Sequence, residues 1–173
     1  AWNRSEEDYR QGLEALPALA AVGAAVGALR PATVVSPASE ERRFRENFRW
    51  CADRLRPVCE ILKDHGCSLG LEFIGPRTIR VDKTYGFIYT IEGMLGLCEA
   101  VGTGNVGLLL DCWHWYTGLG TLADLRALAA EDVVHVHVND APAGVDVADQ
   151  IDNRRALPGE TGVCLLYTSD AAD

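Results

Sequence analysis

Short apolar segments alternate along this chain with longer segments in which apolar residues recur every three or four positions. Strands that are apolar on both faces are typical of parallel sheets covered by helices. The alternation therefore predicts an α/β fold in which parallel strands alternate with helices. The predicted strands are Ala32–Val35, Ser68–Ile74, Asn105–Leu110 and Asp132–Val138, and the predicted helices are Glu6–Leu29, Phe44–Leu62, Phe87–Val101 and Leu122–Leu128.

Two architectures contain such a sheet: an open doubly wound sheet and a (β/α)8 barrel. No Gly-x-Gly-x-x-Gly motif follows a predicted strand, so the nucleotide-binding form of the doubly wound sheet lacks its phosphate loop. Four strands are about half of a barrel. The pattern alone does not decide between these two architectures.

The composition excludes several classes of protein. With 48% hydrophobic and 24% charged residues, the chain is neither disordered nor, lacking an apolar run of roughly 20 residues, a membrane protein. A net charge of −9 disfavours nucleic acid as a partner and favours a small-molecule substrate. The six cysteines form no Cys-x-x-Cys pair, which predicts reduced thiols in a cytoplasmic protein. The composition does not decide whether the protein forms a homo-oligomer.

The last ten residues differ from the rest of the chain. They spell Cys-Leu-Leu-Tyr-Thr-Ser-Asp-Ala-Ala-Asp, the translation of a DNA string that resembles the transposase-end adapter used to prepare sequencing libraries. We therefore predict a non-native, adapter-encoded tail at 164–173 and a native domain at 1–163 that is truncated at both ends.

Three potential metal ligands stand at the ends of successive predicted strands. They are Glu72, Asp111 and His137, each separated from the next by about one strand-helix-strand repeat. The carboxyl ends of parallel strands open on one face, so these side chains are expected to converge. A single carboxylate there is most often a helix cap, but three ligands in register favour a metal site. Two carboxylates and an imidazole suit Mn²⁺, Mg²⁺, Co²⁺ or Zn²⁺.

Two further histidines lie close to these ligands in the sequence. His114 follows Asp111 by three residues and is expected to face the same cavity and contact the substrate. The tryptophans on either side of it are expected to line the pocket, with at least one of them packed in the core. His135 shares the face of His137 one layer deeper, where a hydrogen-bonded core histidine is expected.

Four motifs of the chain resemble the xylose isomerase-like TIM-barrel superfamily and, within it, the sugar phosphate isomerase/epimerase group. The resemblance implies a partial (β/α)8 TIM barrel over residues 1–163. The motifs are Leu-Gly-Leu-Glu72-Phe-Ile-Gly-Pro, Leu-Leu-Leu-Asp111-Cys-Trp-His114, Val-His137-Val-Asn-Asp140 and Arg155-Ala-Leu-Pro-Gly-Glu-Thr-Gly.

The resemblance also implies a ligand set and residue roles. One divalent metal ion would be held by Glu72, Asp111, His137 and a second glutamate expected beyond Val163. Glu72 would also be the catalytic acid/base, and the substrate would be bound by His114 and Arg155. The glutamate of the Pro-Gly-Glu loop, Glu160, is expected either to be structural or to support the metal ligands without binding the metal itself.

The activity implied by the resemblance is metal-dependent isomerisation or epimerisation of a small sugar, keto-polyol or sugar phosphate through an enediolate. As a fragment without the fourth ligand, the chain is expected to be inactive or weak. The ketose epimerases usually carry a carboxylate where this chain has Thr78, which departs from a strict epimerase pattern. The alternatives are a lyase like inosose dehydratase, a non-catalytic truncated fragment and, remotely, an abasic-site endonuclease.

Overall fold

The computed structural model describes residues 2–163, so the predicted tail at 164–173 lies outside the described residues. Helices and strands alternate along the described part, with short 3-10 helices at Ala130–Asp132 and Val147–Asp149. The elements are α1 (Glu6–Ala25), β1 (Ala32–Val35), β2 (Ala38–Ser39), α2 (Phe44–Asp64), β3 (Leu69–Phe73), α3 (Arg77–Arg80), β4 (Tyr85–Gly86), α4 (Ile91–Val101), β5 (Val106–Asp111), α5 (Cys112–Thr117), α6 (Leu122–Arg126) and β6 (Val133–His137).

A parallel sheet of four strands forms the centre of the described residues. The strands lie in the order β1-β3-β5-β6, so each strand is hydrogen-bonded to the next one of the repeat. The predicted parallel sheet is confirmed. A short antiparallel pair, β2 with β4, was not predicted and joins the loops that follow β1 and precede α4.

One face of the sheet carries the hydrophobic core. The apolar stripe of α2 and the buried face of α4 pack on it because their residues recur at helical spacing. Alternation along the strands then directs the intervening side chains to the opposite face. The most deeply buried members of the core are Leu55, Cys59, Leu71, Met94, Leu97 and Leu108.

The opposite face of the sheet is open at β6. His135 lies on this face and is exposed, with its ring packed edge-on against His137 at a centroid distance of 5.1 Å. The expectation of a buried core histidine at this position was therefore wrong. Alternation assigns His135 to a face of the sheet, but within residues 2–163 this face of β6 is left uncovered.

The pairing of β5 with β6 is irregular. Leu108 pairs with Val133, but Leu109 pairs with His135, so Val134 is an extra residue in β6. Beyond this bulge the register is regular, and it sets His137 beside the last residue of β5.

Helix boundaries differ most from the prediction in α1 and α4. The helix α1 ends at Ala25 rather than Leu29, because the backbone turns at Gly27 with a φ of +78°. The helix α4 begins at Ile91 rather than Phe87, since the side chain of Thr90 caps it. The six-residue helix α5, directly after β5, was not predicted.

No helix within residues 2–163 is long and apolar enough to cross a bilayer. The five cysteines in this range are buried and form no disulfide with one another, namely Cys51, Cys59, Cys67, Cys98 and Cys112.

Candidate metal centre and its surroundings

Three strand ends bring Glu72, Asp111 and His137 together, as the sequence predicted. Each residue offers one ligand atom, and these atoms all lie within 4.8 Å of one another. The Nδ1 atom of His137 is 3.5 Å from Oε1 of Glu72 and 3.7 Å from Oδ2 of Asp111. Both carboxylates are buried, whereas the side chain of His137 is half exposed. The cluster therefore opens to solvent on the His137 side.

The two carboxylates of this cluster differ in basicity. Burial, followed by the negative charge of Asp111, raises the pKa of Glu72. Burial would also raise the pKa of Asp111, but the charge of Arg155 and the hydrogen bonds that Asp111 accepts outweigh burial and lower it. Asp111 is thus the anionic anchor and Glu72 the more basic carboxylate.

The two carboxylate oxygens of Asp111 contact different groups. Its Oδ1 accepts hydrogen bonds from the backbone N–H groups of Trp113 at 2.8 Å and His114 at 3.3 Å, and from Nδ2 of Asn139 at 3.3 Å. The two backbone bonds cap α5, which explains why a helix begins immediately after the strand. The other oxygen, Oδ2, faces His137 and Arg155.

His114 lies in α5 and reaches the same site, as predicted. Its side chain is buried, and its Nε2 atom is 4.0 Å from Oε1 of Glu72. The Nδ1 atom accepts a hydrogen bond from the backbone N–H of Gly75 at 3.3 Å. Burial lowers the pKa of His114 to about 4, and the neighbouring Arg155 also disfavours the charged ring, so the imidazole is neutral at pH 7.

The tryptophans beside His114 both pack inside the protein. Trp115 belongs to the main core and is 1% exposed. Trp113 is fully buried in a smaller cluster with Cys112 and Ala141, and the guanidinium carbon of Arg155 lies 5.4 Å from the Trp113 ring centre. Trp113 therefore supports the site through Arg155.

Arg155 also lies at the site, where it contacts two carboxylates. Its Nη1 donates to Oδ2 of Asp111 at 2.8 Å, and its Nη2 donates to Oδ1 of Asp152 at 2.7 Å. Its Nε donates to the carbonyl of Asp152 at 3.0 Å. Asp152 was missed by the sequence analysis. Its only signal is its position three residues before Arg155, in a segment without periodicity.

The loop that carries Arg155 is fastened by Asp140. This residue is fully buried, and its Oδ2 accepts from the backbone N–H groups of Thr161 at 3.1 Å and Gly162 at 2.7 Å. Its backbone also forms a bridge with Ala156. The glutamate of the Pro-Gly-Glu loop, Glu160, accepts from a backbone N–H within its own turn. The order of this loop thus depends on Asp140.

Thr78 takes part in the packing of two loops at this face. Its hydroxyl donates to the carbonyl of Gln150 at 2.8 Å and thereby joins the loop after β3 to the loop after β6. The position that departs from the epimerase pattern therefore has a structural contact in this chain.

The cluster of Glu72, Asp111 and His137 fits a divalent metal ion. It offers two carboxylate oxygens and one imidazole nitrogen, the mixed donor set that such ions accept. Two buried carboxylates also repel one another unless a cation lies between them, and Arg155 neutralises only Asp111 by direct contact. A divalent ion would remove this repulsion.

Comparison with known proteins gives consistent matches over nearly the whole chain. A family model described as xylose isomerase-like TIM barrel matches residues 1–168. An inosose isomerase of Halalkalibacterium halodurans is 29% identical over 165 residues, which cover 94% of this chain and 55% of that protein. The chain therefore spans little more than half the length of the curated relative it matches.

Two solved structures are similar to the chain. One is a xylose isomerase domain protein from Alicyclobacillus acidocaldarius, with a TM-score of 0.89 and 32% identity, covering 99% of this chain and 60% of that one. The other is an IOLI protein with a bound zinc atom, with a TM-score of 0.78 and 20% identity, covering 98% of this chain and 58% of that one.

Proposed function

The chain belongs to the xylose isomerase-like TIM barrel family, and from this premise we propose that its strand-end site binds one divalent metal ion and catalyses isomerisation or epimerisation. The substrate we propose is a small sugar, keto-polyol or sugar phosphate. Because a relative is named inosose isomerase, an inosose, a ring ketone that carries hydroxyl groups, is the first compound to test. The ion is Mn²⁺, Mg²⁺, Co²⁺ or Zn²⁺.

The observation that carries this proposal is the convergence of Glu72, Asp111 and His137 from three different strands. Nothing in local sequence forces these side chains within 4.8 Å of one another. A divalent ion bound there supplies Lewis-acid polarisation of a carbonyl oxygen.

We assign proton transfer to Glu72. Glu72 lies in the ligand cluster beside Asp111 and His137, where its carboxylate can act as a general base on a bound substrate. Glu72 would take the proton from the carbon beside the carbonyl and leave an enediolate. Return of a proton to a neighbouring carbon gives an isomer, and return to the opposite face gives an epimer.

We assign substrate orientation to His114 and Arg155. Both side chains border the cluster, and both are held from behind, His114 by Gly75 and Arg155 by Asp152. Fixed donors of this kind lower the entropy lost when a polyol is oriented for reaction.

Proton exchange is the most direct test of the proposed function. The Mn²⁺-loaded chain is incubated with an inosose in D₂O, and deuterium incorporation beside the carbonyl is followed by ¹H NMR. We expect exchange that requires the metal, with slow net turnover because the chain spans only about half of its relatives. Glu72→Gln should slow exchange at least about 100-fold, whereas the exposed Glu99→Gln should not change it.

The same experiment distinguishes the rival reactions. An isomer or epimer has the mass of the substrate, whereas a lyase product has lost water. Loss of water would replace the isomerase with a dehydratase that uses the same proton abstraction. Absence of exchange in a chain that demonstrably binds Mn²⁺ would refute both and leave a non-catalytic fragment.

A further inference from the structure

We propose that Gly75 is a positioning residue whose backbone N–H holds His114 in the tautomer that carries its proton on Nε2. In this form His114 and Arg155 present two hydrogen-bond donors to one acceptor oxygen of the substrate. The consequence for substrate rests on the proposed function, whereas the tautomer itself does not.

The starting observation is that donors approach both ring nitrogens of His114. The backbone N–H of Gly75 lies 3.3 Å from Nδ1, and Nη2 of Arg155 lies 3.1 Å from Nε2. A neutral imidazole has one acceptor nitrogen, and an arginine or a backbone N–H cannot accept. Only one of the two contacts can therefore be a hydrogen bond.

Of these two contacts, the one between the N–H of Gly75 and Nδ1 of His114 is the hydrogen bond. The N–H of Gly75 is a buried backbone donor, and Nδ1 is the acceptor it meets. By contrast, one of the two hydrogens of Nη2 of Arg155 goes to Oδ1 of Asp152 at the shorter distance of 2.7 Å, so this nitrogen keeps a partner when Nε2 of His114 carries a proton. An unpaired buried backbone donor is disfavoured, so Nδ1 is the acceptor and Nε2 carries the proton.

The fold leaves Gly75 no freedom to turn away from His114. A Cβ atom at this position would overlap the carbonyl oxygen of His114 and lie 2.6 Å from Oγ1 of Thr117 and 2.7 Å from the nitrogen of Gly118. The loop after β3 therefore packs directly on the backbone of α5. This close approach is what brings the N–H within reach of Nδ1.

Among residues 2–163, Nε2–H of His114 consequently has no carboxylate acceptor within hydrogen-bonding distance. Two carboxylate oxygens face Nε2, Oδ1 of Asp152 at 3.8 Å and Oε1 of Glu72 at 4.0 Å, and both are beyond hydrogen-bonding distance. Nε2–H and Nη2 of Arg155 thus form a pair of donors 3.1 Å apart beside the ligand cluster. A carbonyl or hydroxyl oxygen placed between them would satisfy both.

The tautomer can be measured directly in the ligand-free chain. Long-range ¹H–¹⁵N NMR of the chain labelled with ¹⁵N-histidine distinguishes the two neutral tautomers and the doubly protonated ring by their nitrogen shifts, and His114→Gln assigns the signals. We expect the pattern of an Nε2–H ring at pH 7. An Nδ1–H or doubly protonated pattern would overturn the proposal.

The variant Gly75→Ala tests the origin of the tautomer. If the variant folds, the displaced N–H should no longer fix Nδ1, and the ring should shift towards the Nδ1–H form because Arg155 then donates to Nε2. Gly96→Ala, where an added Cβ meets no atom within 4 Å, is the matched control. An unchanged His114 spectrum in folded Gly75→Ala would contradict the role of Gly75. If the variant does not fold, the spectrum of the parent chain decides.

Ligand binding tests the use of the donor on Nε2. Glutamine can place an amide N–H near the Nε2 position, whereas asparagine reaches only the Nδ1 position. In the Mn²⁺-loaded chain we expect His114→Asn to bind an inosose about tenfold more weakly than His114→Gln, the loss of one hydrogen bond. Equal affinities would overturn the donor role. A parent chain that binds Mn²⁺ but no inosose would refute the proposed function and leave the tautomer to the spectrum.

Discussion

The charge balance at the strand ends can be tested by replacing Arg155 with methionine. The substitution keeps an aliphatic side chain of similar length over Trp113 but removes the guanidinium from Asp111 and Asp152. Asp111 is 1% exposed, so its charge has little access to water once the partner is gone.

Two estimates of the Arg155–Asp111 interaction set the upper range of the expected loss. Opposite charges about 4 Å apart attract by about 4 kcal/mol at the effective dielectric constant of a protein surface, and removing one partner of a buried pair costs about 3–5 kcal/mol. Two features reduce this value, since Arg155 is 26% exposed and Oδ1 of Asp111 keeps its other donors. We expect Arg155→Met to lower the free energy of unfolding by about 2–3 kcal/mol.

The pH dependence of this loss has a defined sign. The pKa of Asp111 is lowered in the folded chain, so its contribution to stability is complete above its ordinary value of 3.8 and disappears as the pH falls through the lowered value. The difference between Arg155→Met and the parent chain should therefore be full at pH 7 and shrink below about pH 4.

Urea unfolding in EDTA at pH 7 measures the loss, with the exposed Arg154→Met as the control, which should change stability by less than about 0.5 kcal/mol. Because a divalent ion would take over the neutralisation of Asp111, Mn²⁺ should stabilise Arg155→Met more than the parent chain. Equal stability of the two variants in EDTA would refute the argument.

Three further outcomes are expected. The pKa of His114, lowered from 6.5 to about 4, should be visible as an NMR titration midpoint near 4, and stability should fall as the pH drops from 6.5 towards 4, because only the unfolded ring binds a proton in that range. Burial raises the pKa of Cys51 and Cys98 to about 12 and of Cys59 to about 11, so at pH 8 Ellman's reagent should label no more than one of the six thiols until urea is added. Asp140→Ala should lower the free energy of unfolding in urea by about 3 kcal/mol, since it removes the anionic acceptor of the buried backbone N–H of Ala141 and of the partly buried N–H groups of Thr161 and Gly162.

The parts of the fold that the sequence could predict are those with a period. Short apolar segments between segments of helical spacing predicted all four strands of the sheet, and the family resemblance implied the partial barrel. Glu72, Asp111 and His137 could be placed together because parallel strands end at one edge, whatever the intervening loops do. Their convergence needed no knowledge of side-chain packing.

The contacts that adjust the site could not be predicted, because they join loops without a period. Asp152 meets Arg155 through a turn, and Gly75 meets His114 across two separate elements. His135 was misplaced for another reason. Alternation assigns a residue to a face of the sheet, but whether that face is covered depends on tertiary structure.

The extra residue in β6 has a consequence for insertions and deletions. In a strand, successive side chains point to opposite faces of the sheet. The extra residue Val134 therefore changes which residues after it, including His137, point towards the site. Removing one residue between Val134 and His137 would turn a valine towards Asp111 and the imidazole away from it. Removing one residue before the bulge can be absorbed by straightening the strand. The ligand set thus tolerates a change of length on one side of Val134 and not on the other.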